Sequence, residues 1–344
     1  MTEDIVQQAT ETVIPIETKK PESLSTEPEL GRTEIRVRGR STWVPSAHID
    51  GRTVVVTGKW LKLAEIRDED LVEGDTLTAP QSFVRRLAES GLKADIFTFS
   101  QKLPGTIPLY EYHLHWENVA VIPISTFSDW WDRRVDPGVR RAVRKATKSG
   151  VVVMSHLLDD AFVKGIVSIN NESPVRQGRP FWHYQKSFEA VKEENSTYSE
   201  RTTFLGAHFE GELIAFMRIT FADRIANIVQ LLSMMKHYDK RPANALIAKA
   251  VEICEQRGAT HLMYYSYIYN DPKSSLTEFK RRNGFEKVML PRYYIPLTIK
   301  GRTALSLSLH RGPKHYIPQP LLTELLRLRN RWYERRAKSK EGNS

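Results

Sequence analysis

The sequence predicts a mixed α/β fold in which helices alternate with the strands of a mixed sheet. Two observations carry this. Ala243, Leu246, Ile247, Ala250, Val251 and Cys254 recur at i, i+3, i+4, i+7, i+8 and i+11, the apolar stripe of an amphipathic helix. On either side stand short β-branched and aromatic runs bounded by turn residues, among them VVVMSH (151–156), TTFLGAHFEG (202–211), ELIAFMRITFAD (212–223) and THLMYYSYIY (260–269).

In chain order, residues 1–31 hold many Glu and Thr with few aromatics and read as a disordered tail. Residues 32–127 read as a first α/β lobe. It has β-rich segments over 34–66 with a hairpin at Asp50–Gly51, a helix over 80–90 stopped by Gly91, a strand over 94–101 and one or two strands over 110–124. A domain over 128–300 opens with a helical stretch, 128–149, whose buried side would be Trp130, Trp131, Val139, Ala142, Val143 and Ala146, capped by Gly150. A strand (151–156), a helix with an acidic start (158–172), a polar loop (173–180), a second helix (181–195) and three strands with turns at Glu210–Gly211 and Ala222–Asp223 follow. The striped helix then starts at Pro242 and ends at Gly258. A strand over 260–269, a helix closing on Gly284 and a last strand or hairpin over 286–298 complete the domain. Residues 301–344 form an extension carrying a basic amphipathic helix.

The 344 residues are 40% hydrophobic and 27% charged, enough for a sizeable core. The single cysteine, Cys254, excludes an intrachain disulfide and a cysteine-built zinc site, and its place on the apolar stripe predicts a buried, inert thiol. No apolar run reaches the roughly 20 residues needed to span a bilayer, and the acidic N-terminus lacks an apolar signal core, so a cytoplasmic protein is expected. The formal charge of +10 gathers in 133–148, 280–282 and 327–340, which implies an anionic partner. No metal-ligand spacing, P-loop, G-x-S-x-G or Rossmann glycine run is present, so hydrolase, NTPase and metal readings have no motif behind them.

The element order over 151–298, β-α-α-β-β-β-α-β-α-β, resembles the GNAT acyltransferase superfamily. RRAVRKATKSGVVV (140–153) and SLTEFKRRNGFEKV (275–288) resemble the segments that open and close the Fem-type branch, whose members attach aminoacyl or acyl groups to cell-envelope precursors. The resemblance implies that the first lobe is a degenerate second GNAT half. It also implies an acyl donor, acyl-CoA or aminoacyl-tRNA, held at the turn between the fourth strand and the next helix. That turn is here Lys240, Arg241, Pro242, Ala243, Asn244 and Ala245, with Met235 and His237 leading into it; alanines stand at both glycine positions of the family's phosphate cradle. The resemblance places backbone amides for the acyl carbonyl at Leu232–Met235 and Tyr264–Tyr267, where two strands splay. Tyr265 and Tyr267, on one strand face, are candidates to protonate the leaving group. The polar stretch 170–183 would close over the acceptor, with Glu172 or His183 as base and Arg176, Gln177 and Arg179 gripping an anionic small molecule or envelope precursor. His237 with Asp239 is a further acid/base pair. The same residue types also serve as core aromatics, polar turns and plain helix starts.

In the C-terminal segment, Leu321, Leu322, Leu325, Leu326, Arg329 and Trp332 share a helical face. This helix would dock on the domain, lie peripherally on a membrane, or contact tRNA. The functional expectation is acyl or aminoacyl transfer to an amine or hydroxyl. The rival is a non-catalytic module of the same fold that binds nucleic acid or a protein through its basic surface, with its cleft plugged. Oligomeric state leaves no mark in the sequence.

Overall fold

The computed structural model describes residues 29–37, 40–176, 179–268 and 274–311. The first half of the chain forms β1 (Glu29–Val37), β2 (Arg40–Ile49), β3 (Arg52–Thr57), β4 (Leu63–Ile66), a single helical turn α1 (Glu69–Val72), α2 (Pro80–Glu89), β5 (Ile96–Ser100) and β6 (His113–Pro123). A turn α3 (Phe127–Asp129) and α4 (Pro137–Lys148) lead into β7 (Val152–His156), α5 (Asp160–Asn171), the small hairpin β8 (Val175–Arg176) and β9 (Arg179–Pro180), and α6 (Phe188–Ser196). Then come β10 (Thr202–Phe209), β11 (Glu212–Ala222), β12 (Ile225–Ser233), α7 (Pro242–Gln256), β13 (His261–Tyr264), α8 (Ser275–Arg282), β14 (Glu286–Pro296) and α9 (Ile299–Ser306).

Twelve strands make one sheet in the order β1-β2-β3-β4-β5-β14-β6-β13-β12-β11-β10-β7. Only β4/β5 and β12/β13 run parallel, and each parallel pair is bridged by a helix, α2 or α7, as a crossover requires. The first lobe is thus a reduced copy of the second half. Its β1–β4 meander matches β7, β10, β11 and β12, with a hairpin where the second half carries α5 and α6. The closing strands are exchanged. β14 pairs with β5, β6 pairs with β13, and β6 and β14 pair with each other from Tyr294↔His113 to Glu286↔Val121. The two halves therefore share one seam.

Local chemistry explains the main boundaries. Asp50 and Gly51 both take positive φ, 51° and 76°, giving the tight hairpin expected there. α5 begins where the Asp159 carboxylate accepts the Phe162 amide at 2.8 Å, and α8 where Ser274 Oγ accepts Thr277 N–H at 3.2 Å. α7 packs on one sheet face against α4, burying Leu246, Ile247, Ala250, Val251 and Cys254. Burial pushes the Cys254 thiol up to about 12, so it is inert as expected. α5 and α6 cover the other face over Phe162, Ile166, Phe204 and Phe216. Two expected elements are shorter than their apolar runs: α6 starts at Phe188, after a turn over 181–187, and β13 ends at Tyr264. The basic C-terminal helix expected over 321–340 lies outside the described residues. Among the described residues no helix is long and apolar enough to cross a membrane.

Candidate active site

β12 and β13 pair only over Ile225↔His261, Ala226↔Leu262 and Asn227↔Met263. Beyond that point β12 continues to Ser233 on the β11 side alone, so the sheet opens in a V. Lys280 is what bends β13 away. Its buried ammonium donates to the carbonyls of Tyr264, Tyr265 and Ser266 at 3.2, 3.2 and 2.7 Å and lies 4.0 Å from the Tyr264 ring centre. Gathering three successive carbonyls on one cation curls the chain, and Ser266 takes φ 55°. Asn118 then holds the outgoing chain to β6, its carbonyl accepting from Tyr267 N–H and its side chain from Ile268 N–H. Burial pushes the Lys280 ammonium down to about 8.

This corrects one expectation. Tyr265 and Tyr267 do not share a strand face, because the curl at Ser266 separates them. Tyr267 packs against the core shared by α4 and α7. Tyr265 turns the other way, and its hydroxyl donates to Glu117 Oε2 at 2.7 Å. Burial, with Asp70 and Glu117 close by, holds that phenol far above its ordinary range, so it remains a proton donor.

Tyr265 opens onto a narrow recess lined also by Asp70, Ser100, Lys102, Glu117 and Asn227. The recess lies on the seam, and its charges are paired in series. Arg292 reaches Glu117 at 2.7 Å and Glu69 at 3.4 Å, and Lys102 meets Asp70 at 2.8 Å. Burial pushes Glu69 up, although Lys102 and Arg292 pull against it. Burial also works against the Arg292 charge, but Glu69 and Glu117 more than offset it and hold the guanidinium protonated. Asn227 Nδ2 is buried with no hydrogen-bond partner, at the last paired residue before the V opens. Apart from Tyr265, none of these seam residues carried a local sequence signal; they come from α1, β5 and the residues just after it, β6, β12 and β14.

The polar stretch expected over the acceptor lies on this same face. Asn227 pairs with Thr220 and Gln230 with Arg218, two residues apart on β11, so Asn227 and Gln230 share a face across the intervening bulge. His183 Nε2 sits 3.3 Å from the Gln230 amide, with its ring against Trp182 and its Nδ1 3.8 Å from Glu194. Burial pushes His183 down to about 3, with Lys186 and Arg176 adding to the effect. Neutral when folded and basic when unfolded, it contributes stability above pH 6.5 that is lost as pH falls towards 3. That loss is about 2 kcal/mol by pH 5. Thermal melts should therefore show His183→Phe losing less stability than wild type between pH 7 and pH 5; equal losses would refute the assignment.

The other expected residues divide between a clasp and the α7 turn. Glu172 accepts the amides of Met235 and Lys236 at 2.7 and 2.9 Å, so its oxygens serve the start of a 3-10 turn, Met235–Lys240. Arg176 points inward to Glu172 and to the carbonyls of Ile169 and Ser233, which engages both of its terminal nitrogens. Gln177 and the Arg179 side chain lie outside the described residues. At the α7 turn, Arg241 takes φ 59° as a helix cap without a side-chain cap bond, and Pro242 has no N–H to offer. The amides of Asn244 and Ala245 bond to the Arg241 carbonyl, and the Asn244 side chain reaches Asn283 at 3.1 Å. Ala243 is half-buried and Ala245 buried. Lys240 lies over Phe209 and beside Asp239; His237 meets Glu212 at 3.4 Å, leaving Asp239 unpaired with it. The turn offers cations rather than an open nest of amides.

The fold has solved counterparts. The crystal structure of FemX superposes with a TM-score of 0.50 at 12% identity, covering 76% of this chain and 88% of that one. The chain has a Fem-type GNAT fold. The structure of L-PGS from Bacillus licheniformis is similar at 14% identity and TM-score 0.49, covering 76% of this chain and 86% of that one. A tandem GNAT protein from the clavulanic acid biosynthesis pathway is similar at 9% identity and TM-score 0.41, covering 78% and 83%. No protein-family model and no curated protein matches the sequence. α7 packs on one face of the sheet beside the V between β12 and β13, and the seam recess opens on the other.

Proposed function

We propose that the chain transfers an acyl or aminoacyl group from a donor lodged in the β12/β13 opening to an amine or hydroxyl entering from the seam recess. The observation that carries this is the unpartnered Asn227 amide, buried where the strands part and next to the Tyr265–Glu117 pair. A donor carbonyl at that point receives the Asn227 N–H as its oxygen gains charge. Glu117 takes the proton of the attacking amine or hydroxyl and passes a proton along its hydrogen bond to Tyr265 as that hydroxyl gives its own to the departing oxygen or sulfur, so the pair ends as it began. The carbonyl carbon gains a bond to the acceptor and loses its bond to the donor, with no net change in protons or electrons.

Aminoacyl-tRNA suits the donor side better than coenzyme A. The turn's amides are largely committed to Glu172 and to its own carbonyls, whereas the neighbouring α4 adds exposed Arg141, Arg144, Lys145 and Lys148 to Lys240 and Arg241. An extended basic face fits a polyanion. The acceptor is then a cell-envelope or small-molecule amine or hydroxyl.

Release of radiolabelled amino acid from a mixed charged-tRNA pool, with hydroxylamine as surrogate acceptor, tests this, alongside acetyl-CoA. Expected is protein-dependent hydroxamate formation, slowed about a hundredfold by Asn227→Ala, the usual worth of one oxyanion donor. Turnover of acetyl-CoA alone moves the donor reading to coenzyme A. Salt-sensitive tRNA binding without transfer from either donor overturns the enzymatic reading in favour of a nucleic-acid-binding module.

A further inference from the structure

The seam carries a second cluster, which the reading above does not use. His113 and His115 are two apart on β6 and so share one face, which is also the face of Glu117. His310 joins them from the turn Leu309–Arg311 that follows α9. The three imidazoles place one nitrogen each within 4.8 Å of one another. His115 Nε2 and His310 Nε2 are 3.1 Å apart, and the ring centres of His113 lie 5.4 and 5.2 Å from those of His115 and His310. Tyr294, paired with His113 across the seam, walls the cluster at 4.9 and 4.8 Å from the His115 and His310 rings.

We propose that His113, His115 and His310 bind one divalent transition-metal ion of the zinc class, with a fourth position left to solvent. Nitrogens about 2.0–2.1 Å from a tetrahedral ion stand roughly 3.3 Å apart, so the His115–His310 pair already has the spacing of two ligands on one ion. His113 is exposed and can close the remaining distance by side-chain rotation. Arg311 Nε donates to His115 Nε2, which shows that this nitrogen presents a lone pair towards the cluster, the form a metal needs. The guanidinium occupies the place of the ion's positive charge, and binding turns it out to solvent. An all-imidazole donor set favours zinc, cobalt, nickel or copper over magnesium or calcium. The ion would pin the chain leaving α9 to β6, two residues along the strand from Glu117.

Zinc titration of the full chain, tag removed and in competition with a chromophoric chelator, tests this; cobalt substitution then reports coordination. Expected is one equivalent of zinc and a visible cobalt spectrum of tetrahedral strength. Loss of an outer partner of a metal site already costs about 10–100-fold, so His115→Ala or His310→Ala should weaken binding by about a hundredfold or more. His113→Ala, at an exposed position, should weaken it without altering the melting profile of the metal-free protein, which separates ligand loss from misfolding. Arg311→Ala should tighten binding by removing the competing cation. Zinc affinity equal in the wild type and in a variant lacking all three histidines would overturn the proposal, because such binding would be scattered among the chain's other histidines.

Discussion

Lys280→Met is expected to lower the unfolding free energy by about 3 kcal/mol and to close the cleft. Methionine keeps the volume of the side chain but donates nothing, so the carbonyls of Tyr264, Tyr265 and Ser266 lose a shared donor together. An unsatisfied buried acceptor costs roughly 1–3 kcal/mol. The total falls short of three full penalties because Tyr265 is 39% exposed and water reaches that end of the chain. The relief of no longer burying an ammonium offsets a further part. The functional effect follows from geometry. Without the cation, the carbonyls of residues 264–266 are no longer drawn together, and β13 is free to extend its pairing along β12 beyond Asn227, where the sheet is now open. Urea unfolding followed by tryptophan fluorescence measures the first effect, and hydroxamate formation the second. A variant within 1 kcal/mol of wild type, with transfer intact, would show that the opening is held by something other than Lys280. Lys280→Arg is the informative companion, since it restores charge but presents a planar fork that cannot gather three carbonyls on one nitrogen.

Lys280 also shows how far the sequence was legible. It stands in FKRRNGF (279–285), the segment whose likeness marked the closing helix, and the helix and its Gly284 terminus are found there with φ 83°. The stripe of α7, the Asp50–Gly51 hairpin and the order of elements after residue 151 were equally plain, because each is local: a period, a turn residue or a cap. The run THLMYYSYIY looked like one long strand because aromatic residues favour pleated backbone. A lysine sixteen positions downstream of Tyr264 overrides that preference. The strand exchange was invisible for a related reason. A sequence shows strands but not their partners, and β5 meets β14 only through pairs such as Ser100↔Arg292. Glu172 was legible as a polar residue in the right place, but its bonds to the amides of Met235 and Lys236 span more than sixty positions. Asn227 gave no signal at all, being one polar residue in an apolar strand.

The seam leads to the other large effect. Arg292→Met should cost about 3–5 kcal/mol at neutral pH, the usual consequence of removing one partner from a buried ion pair. Glu69 is 7% exposed and Glu117 26%, so both carboxylates are left in poorly hydrated surroundings. They differ in what remains to them. Glu117 keeps the Tyr265 hydroxyl and Ser100 Oγ, whereas Glu69 keeps the Ser100 amide and the more distant Lys102 charge. Glu69 is therefore the group expected to take up a proton. Its folded-state affinity for protons is already raised by burial, and loss of Arg292 raises it further. A carboxyl whose folded pKa lies above its unfolded value is destabilising once pH exceeds the folded pKa and harmless below the unfolded one. The deficit of Arg292→Met should accordingly shrink from pH 7.5 to pH 5, and Glu69→Gln in the same background should recover much of it at pH 7.5. Denaturant melts of the single and double variants at the two pH values give the coupling directly. A deficit that is independent of pH and unchanged by Glu69→Gln would mean that Arg292 acts only through Glu117, and that the cost lies in losing the support of the Tyr265 hydroxyl at the mouth of the cleft.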